Sequence, residues 1–456
     1  MRPNSMAARD QASVLHPYAD LLALQENGPL VISSGDGVRV RDDTGRDYIE
    51  SVAGLWCASL GFSNERLARA AYEQMRRLPF YHAFGAKSHE PMIELAEMLL
   101  ERAPVPMGRV FFANSGSEAN DTAIKMAWYY NNARGLPAKK KIIGRQRGYH
   151  GITLAAASLT GLPYAHASFD VPLPGFLHTT APSFYHHGEE GETEDAFAVR
   201  CAEELDRLIL AEGPDTVAAF FAEPVQGAGG VIVPPRGYFE AIQEVLRRHD
   251  VLMVADEVIC GFGRTGSYWG SQTFGIRPDI LTCAKALSAA YLPISAVMVS
   301  APVFEAIARQ SHANGNFGMG YTYFGHPVPA AVACEALRIY DEINLVDHVR
   351  AVGPHLQAEL RRRFAGHKLV GEVRGVGMIA AVQFVADRAT RRPFAAADRI
   401  GPRLMAHCEA NGVIGRALPG DALAFSPPLV ITEEEIDEML DRVERAVDAL
   451  TAELTP

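Results

Sequence analysis

The chain has 456 residues, 48% of them hydrophobic, and a formal net charge of −11 at pH 7. That length exceeds one ordinary domain and supports a large core, so two unequal lobes are expected. The acidic balance, without any long basic run, excludes a nucleic-acid partner and requires an anionic ligand to be held by local donors.

Six cysteines stand at 57, 201, 260, 283, 334 and 408 with no CxxC pair, signalling neither a zinc site nor a disulfide framework. They read as small, reduced hydrophobes of a cytoplasmic protein. No apolar run approaches the roughly 18 residues of a membrane span, and the N-terminus lacks a signal-peptide core, so no membrane partner is expected.

In chain order, residues 1–35 lack strong periodicity and read as an arm lying on the body. Gly37 to Tyr48 reads as a hairpin, with Val38 and Val40 alternating before the turn residues Asp42, Asp43, Thr44 and Gly45. Gly54-Leu55-Trp56-Cys57 is an apolar patch without helical or strand period, either core or a pocket wall. From Asn64 onwards, helical patterns such as Phe239 to His249 alternate with short apolar runs: Val110 to Ala113, Lys141 to Gly144, Val217 to Ala222, Val251 to Ala255 and Ile280 to Ala284. This alternation predicts a parallel sheet with crossover helices. Near Gly325 it stops. A helical stripe from Leu345 to Phe364, kinked or broken by Pro354, strand-like runs over Val376 to Val385 and Gly412 to Ala417, and a last helix with a Thr432/Glu435 capping box predict a smaller second lobe.

Two of the buried runs end in charge. Val251 to Ala255 meets Asp256 and Glu257, and Ile280 to Ala284 meets Lys285, so an acid and an amine arrive at what is expected to be one sheet edge, where α/β sheets bind ligands. A lysine amine forms Schiff bases with a carbonyl cofactor, and pyridoxal phosphate needs a carboxylate facing its pyridinium nitrogen.

Three further stretches fit such a site. Ser115-Gly116-Ser117, between a strand and a helix, offers amides and hydroxyls to an anion, although it also reads as an ordinary helix cap. Arg147-Gly148-Tyr149-His150-Gly151 places an aromatic pair at a strand end, suited to a planar ligand. Glu223, opening the loop through Ala228 to Gly230, adds a carboxylate.

Two patterns point elsewhere. Gly261-Phe262-Gly263-Arg264-Thr265-Gly266 matches the dinucleotide fingerprint of an NAD-dependent oxidoreductase, but Ser-Tyr-Trp-Gly follows it instead of an amphipathic helix. His178, His186 and His187 with Glu189 and Glu190 lack i, i+4 metal spacing and read as a solvated loop.

Asp256-Glu257-Val258-Ile259-Cys260-Gly261-Phe262-Gly263-Arg264-Thr265-Gly266, followed by Lys285 in Ala284-Lys285-Ala286-Leu287-Ser288, resembles the signature of class III pyridoxal-phosphate aminotransferases. Within the class, Gly54-Leu55-Trp56-Cys57, Tyr291-Leu292-Pro293-Ile294-Ser295 and Arg416 are similar to the omega, or amine:pyruvate, transaminases.

The resemblance implies the type I, aspartate-aminotransferase-like fold: an α/β large domain with a mostly parallel sheet and a smaller α+β domain. Its expected limits are 1–60 for the arm and part of the small domain, 61–325 for the cofactor domain and 326–456 for the C-terminal small domain. It implies Lys285 as carrier of the cofactor and proton shuttle, and Asp256 as partner of the ring nitrogen. Ser115, Gly116 and Ser117 would hold the phosphate with Thr322 of a neighbouring subunit, Tyr149 and Val258 would cover the ring faces, and Glu223 would lie close by.

Leu55, Trp56, Phe84, Tyr149, Ala228 and Arg416 would line the substrate pocket of a homodimer, or of dimers paired into a tetramer. Phe324 replaces an expected small serine, and Ala289-Ala290 replace a common serine-glycine, which leaves the pocket's shape open. Ala228 stands where the ornithine, acetylornithine and 4-aminobutyrate branches carry a glutamate, so an apolar pocket for an amine donor, with pyruvate as acceptor, is expected. A 7,8-diaminopelargonate transaminase, a decarboxylase and an aminomutase are the alternatives on the same scaffold.

Overall fold

The computed structural model describes residues 4–454; residues 1–3 of the expected arm lie outside the described residues. Its centre is a seven-stranded sheet in the spatial order Arg109–Ala113, Ser295–Val299, Ile280–Cys283, Leu252–Asp256, Val217–Ala222, Lys141–Arg145 and Phe176–Thr179. The last five pair parallel to one another. Ser295–Val299 is antiparallel to both its neighbours, so Arg109–Ala113 beyond it runs the same way as the other five. Six of the seven strands therefore point their carboxyl ends at one edge.

These strands form where they do because both faces are covered. Val217–Ala222 and Leu252–Asp256 are buried at every position, as continuous apolar runs demand when helices pack on both sides. Helices Tyr238–Arg248 and Glu194–Glu212 cover one face, burying Ile242, Val245 and Leu246 beside Phe197, Leu205 and Ile209. Helix Gly116–Ala133 lies on the other with Ala119, Ala123 and Ile124.

The second lobe departs from expectation in detail. Val370–Val376 and Ile379–Phe384 form an antiparallel hairpin turning at Gly377, where a single strand over Val376 to Val385 was expected. The run Gly412 to Ala417 is two strands in two sheets: Val413–Ile414 pairs parallel with Asp47–Glu50, and Arg416–Leu418 pairs with Ala422–Phe425. The chain crosses from one sheet to the other at Gly415.

Helix Leu345–Phe364 continues through Pro354 and is not broken by it. Leu345, Val349, Val352, Leu356, Leu360 and Phe364 are all buried, and at about 1.5–3 kcal/mol each they outweigh the roughly 3 kcal/mol of an internal proline. The last helix, Glu433–Leu454, has its capping box: Thr432 Oγ1 accepts from Glu435 N at 3.2 Å, and Glu435 Oε2 from Thr432 N at 3.0 Å.

The expected arm contains two short helices, Met6–Ser13 and Leu21–Asn27, and a strand, Ile32–Asp36. Neither helix buries a residue, which is why no periodicity marks them.

Candidate active site

Strand register brings the charged residues together. Ala222 pairs with Ala255 and Asp256 with Thr282, so Glu223 leaves its strand beside Asp256, and Lys285 follows three residues beyond Asp256's partner. Arg109–Ala113 delivers Ser115 to the same edge, where Ser295 Oγ donates to the Ser115 carbonyl at 2.8 Å.

Asp256 is 3% exposed and its carboxylate is held from several sides. Oδ2 accepts from Asn120 Nδ2 at 2.7 Å and lies 2.8 Å from His150 Nδ1. Oδ1 accepts from Val258 N at 3.1 Å. Asn120 is fixed in turn, its Nδ2 donating to the His150 carbonyl at 2.7 Å and its Oδ1 accepting from Thr282 Oγ1 at 2.9 Å. Sequence reasoning placed His150 in a turn suited to a planar ligand, whereas the structure turns its ring on Asp256. It missed Asn120, whose one signal is a polar residue a turn into the helix, and Thr282, a polar residue inside a buried strand.

Lys285 opens a short 3-10 helix with φ +52°, a left-handed conformation that a lysine adopts at a cost. Its Nζ lies 5.6 Å from the Trp56 ring centroid and, among the described residues, makes no hydrogen bond or ion pair. Burial lowers its pKa, with Asp256 and Glu223 among the charges that oppose the shift. An amine so placed is closer to its neutral, nucleophilic form than a surface lysine.

Glu223 is 2% exposed, and burial raises its pKa. It ties two loops together, accepting from Tyr149 N at 3.0 Å and from Gly227 N at 2.9 Å.

The turn at Ser115–Ser117, expected to hold a phosphate, behaves as a helix cap and still leaves donors. Ser115 Oγ accepts from Glu118 N, and Ser117 Oγ from Ile152 N at 3.1 Å. The Gly116 and Ser117 amides fall in the first turn, where the helix supplies no acceptor. A Cβ at Gly116 would come within 3.1 Å of Val258 Cγ1, and one at Gly151 within 2.5 Å of Ser117 Oγ, so both glycines permit close approach.

Trp56 is 2% exposed, and its ring has Lys285 Nζ on one contact and Arg416 Cζ, also at 5.6 Å, on another. Ala228, 8% exposed, belongs to the same apolar cluster as Trp56, with Tyr149 packed against it. Arg147 and Arg374 fix the Ala228 loop by donating to the Gly229 and Gly230 carbonyls at 2.8 and 2.9 Å. Arg416 opens its strand, and its Nε is buried without a partner. Two tyrosines unnoticed in the sequence stand over Tyr149: Tyr18 OH lies 3.3 Å from Tyr149 OH, and the Tyr18 and Tyr164 rings meet edge to face at 6.0 Å.

Two expected pocket residues are more open. Leu55 is 48% and Phe84 52% exposed. Phe84 packs near Gly320 and not in the Trp56 cluster, and Thr322 is exposed on the loop that follows.

The two diverging patterns resolve structurally. The stretch 261–266 is a turn followed by a four-residue helix, Gly270–Thr273, and its buried Arg264 donates to the Met378 and Pro427 carbonyls, joining the lobes. His178 lies on a strand and pairs with the Leu159 carbonyl, while His186, in a short helix, pairs with Ser183 Oγ. His178 is partly buried and His186 exposed, each with its own partner, on a strand and a short helix where a solvated loop was expected.

A buried carboxylate, an unpaired lysine and free helix-terminal amides at one sheet edge fit a pyridine ring, an aldehyde and a phosphate, so fold and site define a pyridoxal-phosphate enzyme. The class-III aminotransferase family profile matches residues 23–447. Gamma-aminobutyrate transaminase 1, mitochondrial, of Oryza sativa subsp. indica is 49% identical over 90% of this chain and 80% of its own. An omega transaminase from Pseudomonas jessenii, solved in complex with PMP, is 55% identical over 98% of each chain, with a TM-score of 0.97. A thermostable omega transaminase variant, substituted at a tryptophan, a phenylalanine and an arginine and engineered for asymmetric synthesis of enantiopure bulky amines, is 54% identical over 98% of this chain and 99% of its own, with a TM-score of 0.97.

The chain belongs to the class III aminotransferases. It is a pyridoxal-phosphate-dependent transaminase, and the oxidoreductase alternative falls away. No helix among the described residues is long and apolar enough to cross a membrane.

Proposed function

We propose that the enzyme moves the amino group of a primary amine or omega-amino acid to pyruvate. The observation that carries this is Arg416: a guanidinium with a buried, unpartnered Nε against the Trp56 ring, in a pocket otherwise walled by apolar groups such as Ala228. A transaminase binds an amine in one half-reaction and a keto-acid carboxylate in the next. A long arginine that pairs with no acid among the described residues can fork onto the carboxylate and swing away from an apolar amine. The engineered relative's tryptophan, phenylalanine and arginine are the residue types at 56, 84 and 416 here. The gamma-aminobutyrate relatives favour a second donor, 4-aminobutyrate, whose distal carboxylate meets the same arginine.

Bound pyridoxal phosphate supplies the aldehyde and the electron-withdrawing ring. In this reading the chain's own groups do the rest: Lys285 Nζ carries the cofactor and moves the proton, Asp256 holds the ring nitrogen protonated, and Tyr149 and Val258 cover the ring. Ser115, Gly116 and Ser117 bind the phosphate. Leu55 and Trp56 shape the amine side.

A panel of amino donors with pyruvate, read by alanine formation, tests the reading; formation from neither aryl-alkyl amines nor 4-aminobutyrate sinks it. Arg416→Ala is expected to raise the apparent KM for pyruvate on the order of 10-fold, the size of a lost charged hydrogen-bond pair. The half-reaction with an aryl-alkyl amine should change little. Equal losses in both, followed separately by stopped-flow absorbance, would assign Arg416 a structural role.

We further propose an obligate homodimer in which Thr322 and Phe84 serve the neighbouring subunit's site. Thr322 is exposed on a loop pinned by Tyr321, whose hydroxyl pairs with Thr122 at 2.9 Å. Beside it Tyr323, with the Phe80 ring 5.6 Å away, and Phe84, next to Gly320, leave large apolar side chains uncovered, an unusual surface for a monomer. Light scattering at assay concentration should find dimers or larger, and an active monomer would overturn the proposal. The domain limits 1–60, 61–325 and 326–456 go with this reading, supported by the pairing of Asp47–Glu50 with Val413–Ile414. A cytoplasmic location is supported by six free cysteines.

A further inference from the structure

Glu50 is a carboxylic acid that the chemistry described so far does not use. It ends the strand Asp47–Glu50, is 5% exposed, and pairs in register with Ile414, two residues before Arg416. Among the described residues no cation faces it; the groups that act on it are the N–H donors of Val52 and Gly54, the former at 3.0 Å from Oε1. Burial pushes its carboxyl up to about 7, and those two donors oppose the rise. An acid buried without a cation is costly, so what it holds matters.

It holds the turn that carries Trp56. Ala53, Gly54 and Trp56 adopt φ of +49°, +68° and +61°, and Leu55 between them sits at −133°. Ala and Trp reach the left-handed region only where the surroundings impose it. Trp56 N closes the turn onto the Val52 carbonyl at 2.7 Å, and Ser51 N and Oγ both donate to the Ile414 carbonyl, at 3.1 and 2.8 Å. Glu50 thus stands where the Trp56 turn and the Arg416 strand are joined.

We infer that Glu50 is a positioning residue for substrate selectivity: its buried carboxylate accepts the Val52 and Gly54 N–H groups and so fixes where Leu55 and Trp56 stand in the amine pocket. This rests on the reading of Trp56 as a pocket wall. Glutamine keeps one acceptor oxygen, replaces the other with a donor facing N–H groups, and removes the charge that strengthens their bonds. A loosened turn lets Trp56 retreat and admits bulkier amines.

The test is the ratio of kcat/KM for a bulky aryl-alkyl amine to that for isopropylamine, with pyruvate as acceptor, in holoenzyme carrying Glu50→Gln, Trp56→Ala or both. Trp56→Ala alone checks the pocket reading, which fails if the ratio does not move. Given that it moves, Glu50→Gln should raise the ratio on the order of 10-fold, mainly through KM, the size of one charge-assisted hydrogen bond. It should leave the ratio unchanged when Trp56 is already alanine. A ratio unmoved by Glu50→Gln, or moved equally in both backgrounds, overturns the inference. If Glu50→Gln does not fold, Glu50→Asp, a carboxylate drawn back by one methylene, replaces it: a smaller rise that vanishes with Trp56→Ala supports the inference, and an unchanged ratio overturns it.

Discussion

Lys285→Ala is expected to lower turnover by more than about 100-fold, beyond what the loss of an acid-base group alone costs. In the proposed mechanism the amine has two tasks, holding the cofactor's carbonyl carbon and moving the proton, and no neighbour is placed to take over either. Glu223 and Asp256 are carboxyl groups engaged with backbone and side-chain donors. Arg416 is a permanent cation that cannot act as a nucleophile at neutral pH. Among the described residues Lys285 Nζ makes no hydrogen bond or ion pair and lies 5.6 Å from the Trp56 ring centroid, so truncation removes chemistry and not a salt bridge. The variant should melt within a few degrees of wild type in the cofactor-free form. Borohydride reduction of the holoenzyme should add the cofactor's mass to wild type and not to the variant. Retained activity above about a hundredth of wild type would show that the proton passes through another group.

What the sequence disclosed, and what it hid, follows the reach of local pattern. Asp256, Glu223 and Lys285 were legible because each terminates an apolar run long enough to be a buried strand, and charge at such a terminus has few structural reasons to exist. The strands Phe176–Thr179 and Ser295–Val299 were not: the first is a four-residue edge strand, half-buried, and the second runs into Ser300 with no charge to mark its end. Asn120, Thr282 and the aim of His150 depend on contacts across 136, 162 and 106 residues of chain, which no local pattern contains. Glu50 was hidden for a related reason. As the last residue of a strand beside a turn it looks like any polar strand end, and only the left-handed course of Ala53 to Trp56 reveals what the carboxylate holds.

Asp256→Asn is expected to keep the fold and lower turnover by roughly 10- to 150-fold, the range given by losing one charge-assisted hydrogen bond of 1.5–3 kcal/mol. The competing view is that Asp256 is a turn former, and one of its oxygens does serve that purpose, accepting from Val258 N. Asparagine keeps an acceptor oxygen for that bond, so a turn former would survive the exchange with its rate intact. The other oxygen distinguishes the two views. It is buried and held by Asn120 Nδ2 and by His150 Nδ1, whose far nitrogen, Nε2, is buried without a partner. Such a carboxylate is shielded from water and kept at the end of the site, where it faces the ring nitrogen in the proposed arrangement. The negative charge, not the shape, is what favours a proton on a pyridine, and an amide of the same shape lacks it. Asparagine also brings an NH₂ next to Asn120 Nδ2, donor against donor, so a modest loss of melting temperature is expected with the loss of rate. A variant that melts lower but turns over at the wild-type rate would leave Asp256 a structural residue. One that turns over slowly, and in which a cofactor analogue carrying a permanently positive N-methyl pyridinium restores the rate, would place its role at the ring nitrogen.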